Sequence, residues 1–537
     1  MAMMDYQTAF KKSLKDSRTL GRAALEMIRK YPQSDALSDV SGGLSRVRLA
    51  GLALAIQPLL ELSEDEHRVG ILLPPGKAGT IVNLALALMG RTAVNLNHTA
   101  GVVGLKRMCE LGEVKSIITA GAYLDRIGKP DIEVRWVDVQ AVLFALSKMT
   151  VLFHMFKALF FPLFLLAKGH ADDIACLIFS SGSTGDPKGV QLTHRQILAN
   201  VLSTHEHHGF KEDIDKILTP LPLFHSFGIT VGTWLPLIGG FGFVAHPDPR
   251  DGRTIGELAE RYQATVLIGT PTFVRSYMRR VGAEQFESIR FVIVGAEKCP
   301  DDLRVAFKEK YKGELLEGYG CTELAPVVSL NQLNKEVNGV LEIKSKPGSV
   351  GRPIPGVELL TLDPDTKEII EQGKTGLILV RSPARMLGYL GRQDLTETAF
   401  LHGGYNTGDI GYVDGDGFLF ITGRLARFAK IGGEMIPLDL VEEKLRGVLQ
   451  EIAGVEHGHD LAVASVFDEG RGEKLVILYT SLPCSPKELI GQVAGLPALY
   501  KPKEREVYQV DALPVLGTGK RDLKKLSELA KELATKL

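Results

Sequence analysis

A chain of 537 residues with 45% hydrophobic content is long enough for a large core and more than one domain, which excludes a single small module. Lys+Arg 63 against Asp+Glu 64 leaves a formal net charge of -1, so no global field steers the protein toward nucleic acid. The five cysteines, Cys109, Cys176, Cys299, Cys321 and Cys484, are scattered, with no CxxC pair and no His cluster at metal-ligand spacing. That pattern suits a reducing cytosol and argues against structural zinc.

The opening stretch MAMMDYQTAFKKSLKDSRTLGRAALEMIRK carries charges where an export signal needs an unbroken apolar run, and it reads as a surface helix. From Arg68 to Asn97 a strand (VGILLPP) leads into a helix (TIVNLALALMG) and then another strand (TAVNLN). Similar apolar runs follow at ACLIFS, TVLIGTPT, RFVIVGAE and GLILVRS, and their alternation with helical stretches predicts an α/β fold with substantially parallel sheets. After Gly411 the chain turns Gly- and Asp-rich (YVDGDGFLFITGRL), which places a boundary near Leu425 between a domain of residues 1–424 and a small one of 425–537.

One segment, about 143–168, breaks the alternation: LFALSKMTVLFHMFKALFFPLFLLAKG is Phe- and Leu-rich, and no acidic residue occurs between Asp138 and Asp172. Ser147, Thr150, His154 and Lys157 draw a polar stripe along it at helical spacing, and Pro162 interrupts the helix. A spanning helix needs ~20 largely apolar residues, and Lys157 sits in mid-window. An amphipathic helix lying in a membrane surface is expected, ahead of a buried helix under a lid or a true span.

The strongest local signal is Ser180-Ser181-Gly182-Ser183-Thr184-Gly185-Asp186-Pro187-Lys188-Gly189, directly after ACLIFS. Glycines let the backbone approach a phosphate, and hydroxyls and amides donate without bulk. The Walker loop needs Gly-Lys-Ser/Thr, whereas Lys188 here stands between Pro187 and Gly189.

This loop resembles the phosphate loop of the adenylate-forming superfamily of acyl-CoA synthetases, luciferases and peptide-synthetase adenylation domains. Further matches follow in family order: Phe224-His225-Ser226-Phe227-Gly228, Gly295-Ala296-Glu297, Tyr319-Gly320-Cys321-Thr322-Glu323, Thr407-Gly408-Asp409, Gly423-Arg424 and Gly517-Thr518-Gly519-Lys520. The resemblance covers essentially the whole chain. It implies a large N-terminal α/β domain with mixed sheets and a small, mobile C-terminal α+β domain.

It also implies roles. Ser181, Gly182, Ser183, Thr184, Gly185 and Lys188 would hold the ATP phosphates, and Glu323 would meet the Mg2+ that bridges them. Gly295, Ala296, Glu297, Gly318, Tyr319, Gly320 and Thr322 would form the adenine slot, with the Tyr319 ring on the base. Asp409 would accept the ribose hydroxyls, Arg424 would add a donor, and His225, otherwise a core histidine, would stand at the mouth of the acyl pocket; close behind it Gly239, Gly240 and Gly242 either line a tunnel for an apolar chain or form one flexible turn. Lys520 would serve adenylation and the loop near Lys430 thiol transfer.

The segment GRLARFAKIGGEMIPLDLVEEKL departs from the common family pattern at Ala426 and at the hinge position, where Arg427 stands. This version resembles the acyl-acyl carrier protein synthetase half of bifunctional bacterial 2-acylglycerophosphoethanolamine acyltransferases. The implied reaction is ATP-dependent activation of a medium- or long-chain fatty acid and transfer to the phosphopantetheine thiol of acyl carrier protein, with coenzyme A as the alternative acceptor.

Two His-x4-Asp spacings, His208 to Asp213 and His246 to Asp251, are read as chance, so the chain is expected to be the synthetase alone or a piece of a longer protein. Arg427, Lys430, Lys501, Lys503 and Arg505 are candidates for a patch meeting the acidic carrier, although residues from Ile421 onward hold 17 basic and 17 acidic side chains. The expected location is the cytoplasm, peripheral at the inner face of the cell membrane. The rivals are a non-catalytic, membrane-docked nucleotide-binding protein and an adenylating enzyme for aryl or amino acids.

Overall fold

The structure is a computed structural model that describes residues 6–181, 187–431, 434–453, 460–468, 472–493, 501–514 and 521–535. Two large sheets dominate it. In the nine-stranded sheet Asp35–Asp39, Gly242–Ala245, Lys216–Thr219, Val266–Gly269, Phe291–Val294 and Glu314–Gly320 run parallel, with antiparallel strands at both edges. In the seven-stranded sheet Ile174–Ser181, Thr92–Asn95, Arg68–Ile71, Ser116–Thr119 and Arg135–Asp138 are parallel, and Pro187–Thr193 returns antiparallel beside Ile174–Ser181.

The parallel strands are short and buried on both sides, as the runs VGIL, TVLIG and FVIV demand when helices cover both faces. The helix Lys77–Met89 is apolar nearly all round and buried along ten of its residues, ending at Gly90, whose φ of +70° suits a glycine cap. One continuous core joins the two sheets.

Three expectations need correction. GLILVRS forms Gly376–Arg381, which belongs to a separate sheet, pairing antiparallel with Glu358–Leu362 on one side and Gly404–Val413 on the other. The N-terminal stretch is two helices, Tyr6–Lys15 and Leu20–Lys30, and the second sinks Leu20, Ala24, Leu25 and Ile28 into the core instead of lying on the surface. Gly239 and Gly240 form a buried turn closing the helix Leu235–Gly239, with Gly240 at φ +78°, Gly242 opens the strand Gly242–Ala245, and none of the three lines the cavity described below, so the tunnel reading fails.

Past the hairpin of Gly404–Val413 with Leu419–Arg424, the short turn Leu425–Arg427 leads to a further sheet. It contains Phe428–Ile431, Glu434–Pro437, Leu461–Asp468, Gly472–Tyr479 and Val507–Gln509. Two apolar cores built only from residues after Phe428 pack on it.

Candidate active site

The carboxyl ends of the parallel strands in both large sheets open on one cavity of about 1050 Å3. Phe227–Trp234, which continues the Phe-His-Ser-Phe-Gly run, winds as a π-helix against it. Gly228 permits this, since a Cβ there would lie 2.1 Å from the Pro222 carbonyl oxygen. The Ser226 hydroxyl, buried, meets the Thr322 hydroxyl at 3.2 Å and so ties this run to the Tyr-Gly-Cys-Thr-Glu box.

That box lies at the end of Glu314–Gly320. Gly295 and Gly318 line the cavity from neighbouring strands, and Cβ atoms on Gly318 and Gly320 would sit 2.5 Å from Leu330 Cδ1 and 2.2 Å from the Pro326 carbonyl oxygen. Ala296, at φ +68°, also lines it. The Tyr319 hydroxyl donates to Asp409 Oδ2, and Arg424 Nε donates to Asp409 Oδ1 at 2.8 Å. The pairing of Asp409 with Arg424 across their hairpin sets this contact. Burial and the Asp409 charge together push the Tyr319 phenol well above its ordinary pKa, while Asp409 raises that of Arg424.

Glu323, buried, accepts from the Tyr389 hydroxyl at 2.9 Å. Tyr389 also meets the Tyr405 hydroxyl at 3.4 Å, and burial followed by the Glu323 charge raises both phenols. The Lys188 ammonium lies 5.3 Å from the Tyr389 ring centre, a cation over a π-face. His225 lines the cavity, and its Nδ1 accepts from the Phe227 amide at 3.2 Å.

Of the sequence-predicted residues, Lys188, His225, Gly295, Ala296, Gly318, Tyr319, Gly320, Thr322, Glu323 and Arg424 therefore share one cavity. Asp409 stands just behind Tyr319 and Arg424. Glu297 departs from expectation: its carboxylate turns to Thr272, accepting from the hydroxyl at 2.6 Å and the amide at 3.2 Å, and it does not line the cavity. Gly182, Ser183, Thr184, Gly185 and Lys520 lie outside the described residues, as do the side chains of Ser181 and Lys430. The strand pairing of Ser181 with Pro187 fixes both ends of the first loop.

Tyr389 and Tyr405 were missed from sequence; Tyr389 enters through a two-residue strand paired with Val190 and Gln191 that carries no local signature. Also missed is a polar group in the cavity lining. Arg126 and Arg250 pair with Asp248 at 3.2 and 3.0 Å, and Tyr123 bonds His98, whose ring meets Phe224. Burial, and secondarily Arg126, lowers the His98 pKa; burial pushes Tyr123 up to about 12.

The residue set fits a Mg-nucleotide. Of the two carboxylates that line the cavity among the described residues, Asp248 is paired with arginines and Glu323 shares Tyr389 with Lys188; among the described residues no cluster of three or more metal-ligating side chains exists. Mg2+ is commonly held that way, by one or two carboxylates plus substrate phosphates. Arg427, by contrast, is no part of a surface patch. It is 7% exposed and donates to Asp439 at 2.7 Å, Glu442 at 2.7 Å and the Val463 carbonyl at 2.5 Å.

The family model for AMP-binding enzymes matches residues 46–390. The long-chain-fatty-acid–CoA ligase of Bacillus subtilis (strain 168) is 31% identical over 357 residues, covering 65% of this chain and 60% of that protein. The 4-coumarate–CoA ligase 1 of Oryza sativa subsp. japonica is 32% identical over 370 residues, covering 65% and 62%. The chain thus spans about three fifths of the length of these curated relatives. In fold it is similar to ATP-bound MatB from Rhodopseudomonas palustris (TM-score 0.78, 23% identity, 96% of this chain and 100% of that one). It is also similar to the Bacillus subtilis o-succinylbenzoate coenzyme A synthetase MenE with ATP and magnesium (TM-score 0.77, 23% identity, 95% and 100%). The sheet order, the shared cavity and the family match lead to one conclusion: the chain belongs to the AMP-binding enzyme family.

Proposed function

We propose that the chain activates a medium- or long-chain fatty acid with ATP as an acyl-adenylate and passes the acyl group to the pantetheine thiol of acyl carrier protein. The observation that carries this reading is the convergence of Tyr319–Asp409–Arg424 and Lys188–Tyr389–Glu323 at one cavity. Tyr319, Gly295 and Gly318 would hold the adenine, and Asp409 with Arg424 the ribose. Lys188 and the loop 181–185 would hold the phosphates. Bound at Glu323, Mg2+ would supply charge neutralisation on the phosphates.

The fatty carboxylate would attack the α-phosphorus in line and pyrophosphate would leave, a step that rests on positioning and preorganised charge. Lys520 would stabilise the developing charge, and Thr184 would bind the phosphates. Val231, Phe273, Val327 and Leu330 give the cavity an apolar wall suited to an acyl chain, and His225, which also lines it, would stand at its mouth. The two carboxylates lining the cavity among the described residues, Asp248 and Glu323, are engaged by arginines and by Tyr389. That disfavours an amino acid, whose amine needs an acidic partner.

The thiol would then displace AMP after residues 425–537 rotate relative to 1–424, bringing the loop near Lys430 to the site. Coenzyme A is the second reading of the acceptor, supported by the names of the Bacillus and Oryza relatives. Carrier protein rests on the resemblance of the segment after Arg424, with Lys501, Lys503 and Arg505 as contacts and Arg427 withdrawn. We place the enzyme in the cytoplasm, peripheral at the inner face of the cell membrane.

The test is pyrophosphate exchange into ATP with fatty acids of graded length, benzoate, coumarate and amino acids, followed by AMP release with carrier protein and coenzyme A in parallel. Exchange driven by aryl or amino acids and not by fatty acids would remove the substrate class. Faster transfer to coenzyme A would reassign the acceptor.

A further inference from the structure

The helix Lys148–Phe160 carries an unusual surface. Met149, Leu152, Phe153, Phe156 and Phe160 follow i, i+3, i+4, i+7, i+11 spacing on one face, and with Phe164 beyond the break each is at least 53% exposed. Isolated exposed apolar residues are ordinary in folded proteins, but six large ones on one contiguous face mark an interaction surface. The opposite face is occupied. Met155 packs so closely on the helix Arg46–Ile56 that a Cβ on Gly51 would lie 2.5 Å from its Cγ, and Ala158 is fully buried. Arg29, from Leu20–Lys30, donates to the carbonyls of Ala158, at 2.8 Å, and of Phe161.

Of the polar stripe read from sequence, Ser147 is exposed and Thr150, His154 and Lys157 are half-buried, and the apolar side faces outward. Burial and then the Lys157 charge lower the His154 pKa. Lys157 reaches along the flank, its ammonium 5.7 and 5.6 Å from the ring centres of Phe153 and Phe161. Lys148, Lys168 and Arg48 are exposed, and the segment between Asp138 and Asp172 has no acid. The nearest acid on the neighbouring helix, Glu26, is paired with Arg18 and Arg22.

From this geometry we infer that the outward face of Lys148–Phe160, extended by Phe164, docks in the plane of an anionic lipid bilayer. Its aromatic side chains enter the acyl boundary, and Lys148, Lys157 and Lys168 meet the headgroups. A span is excluded by packing: the helix has 13 residues, bends 96° from Val139–Ala145, and has one side fixed to the protein core. Docking against a second copy would bring the same lysines together without a counter-charge. The inference rests on surface geometry and not on the acyl substrate or acceptor, so its failure and that of the proposed reaction are separable.

The experiment is co-sedimentation of the full chain with vesicles of equal parts phosphatidylglycerol and phosphatidylcholine, and with phosphatidylcholine alone, at low and high salt. Binding should favour the anionic vesicles and weaken with salt. The double variant Phe153→Ser/Phe156→Ser should lose at least ~tenfold in partitioning, and Lys148→Gln and Lys157→Gln roughly fivefold each. Unfolding curves should be unchanged, because all four side chains lie outside the core. The inference is overturned if the wild type does not bind, if the Phe variant binds equally, or if the protein resists alkaline extraction as a span would. It is also overturned if the same substitutions instead abolish a dimer seen without lipid.

Discussion

Tyr389 donates its phenolic hydrogen to Glu323 Oε1 at 2.9 Å while the Lys188 ammonium stands 5.3 Å from its ring centre, so one side chain positions an anion and a cation at once. A hydrogen bond to a buried carboxylate is worth ~1.5 to 3 kcal/mol. Tyr389→Phe keeps the ring under Lys188 and removes only the bond. Pyrophosphate exchange should fall roughly tenfold and need more Mg2+, with metal-free nucleotide binding nearly unchanged. Equal loss of metal-free binding would show a structural role instead.

Asp409 gathers two donors, and its removal should cost more than the loss of either. Asp409→Asn removes the charge that Tyr319 and Arg424 both address, so AMP affinity should drop by ~10 to 100-fold. Tyr319→Phe retains the ring and should lose less than Asp409→Asn. Isothermal titration with AMP ranks the two variants, and the opposite order would reassign the Tyr319 hydroxyl as the main contact.

Two glycine substitutions should act with opposite sign. A Cβ at Gly228 would strike the backbone oxygens of Pro222 and Leu221, at 2.1 and 2.8 Å, so Gly228→Ala should destabilise by ~2 kcal/mol or more. Gly447, inside Leu438–Ala453, would meet nothing within 4 Å, and Gly447→Ala should stabilise by up to ~1 kcal/mol through helix propensity. Denaturant midpoints measure both.

Arg427 holds Asp439, Glu442 and the Val463 carbonyl together. Arg427→Ala leaves two carboxylates facing each other near a buried carbonyl and should cost ~3 to 5 kcal/mol. Hydrogen exchange should show the loss in Leu438–Ala453 and Leu461–Asp468, with the two large sheets unaffected. Arg427→Lys should recover only part, because an ammonium lacks the planar fork that reaches three acceptors.

His194 gives the fold a defined acid limit. It is 1% exposed, its Nδ1 accepts from the Leu20 amide at 3.2 Å, and burial lowers its pKa to about 4. The unfolded chain, with its histidine at about 6.5, takes up the proton first. Stability is therefore full above that pH, declines as pH falls and levels off near 4, a loss of ~3 kcal/mol. His194→Asn keeps an acceptor without the titration, so its melting temperature should fall less steeply across that interval.

The parts legible in the sequence were those with a local cause. Apolar runs such as FVIV and VGIL announce buried strands, and contiguous boxes such as Tyr319 to Glu323 keep their members adjacent in space because one turn carries them. GLILVRS looked the same as the parallel strands, since an apolar run does not encode its partner; antiparallel pairing with Glu358–Leu362 and Gly404–Val413 placed it elsewhere. Tyr389 was illegible because its meaning comes from a pairing with Val190 that spans two hundred residues of chain. The outward turn of Phe153 and Phe156 agrees with the expected amphipathic helix, although the packing of Met155 and Ala158 against the core was hidden, for periodicity marks two faces without saying which meets the core.

The hairpin of Ile174–Ser181 with Pro187–Thr193 has a consequence for inherited variation in length. Lys188 stands opposite Ser180, on the same side of its strand as Val190 and Leu192, whose side chains are buried. The loop between Ser181 and Pro187 is proposed to hold the phosphates, so its length should be kept for activity, whereas the register of the two strands is kept for folding. A single-residue change inside Pro187–Thr193 reverses every side chain beyond it. It would expel Val190 and Leu192 from the core and turn Gln191 inward. Frame-preserving length changes inside Pro187–Thr193 should therefore be lost when variants are selected for folding.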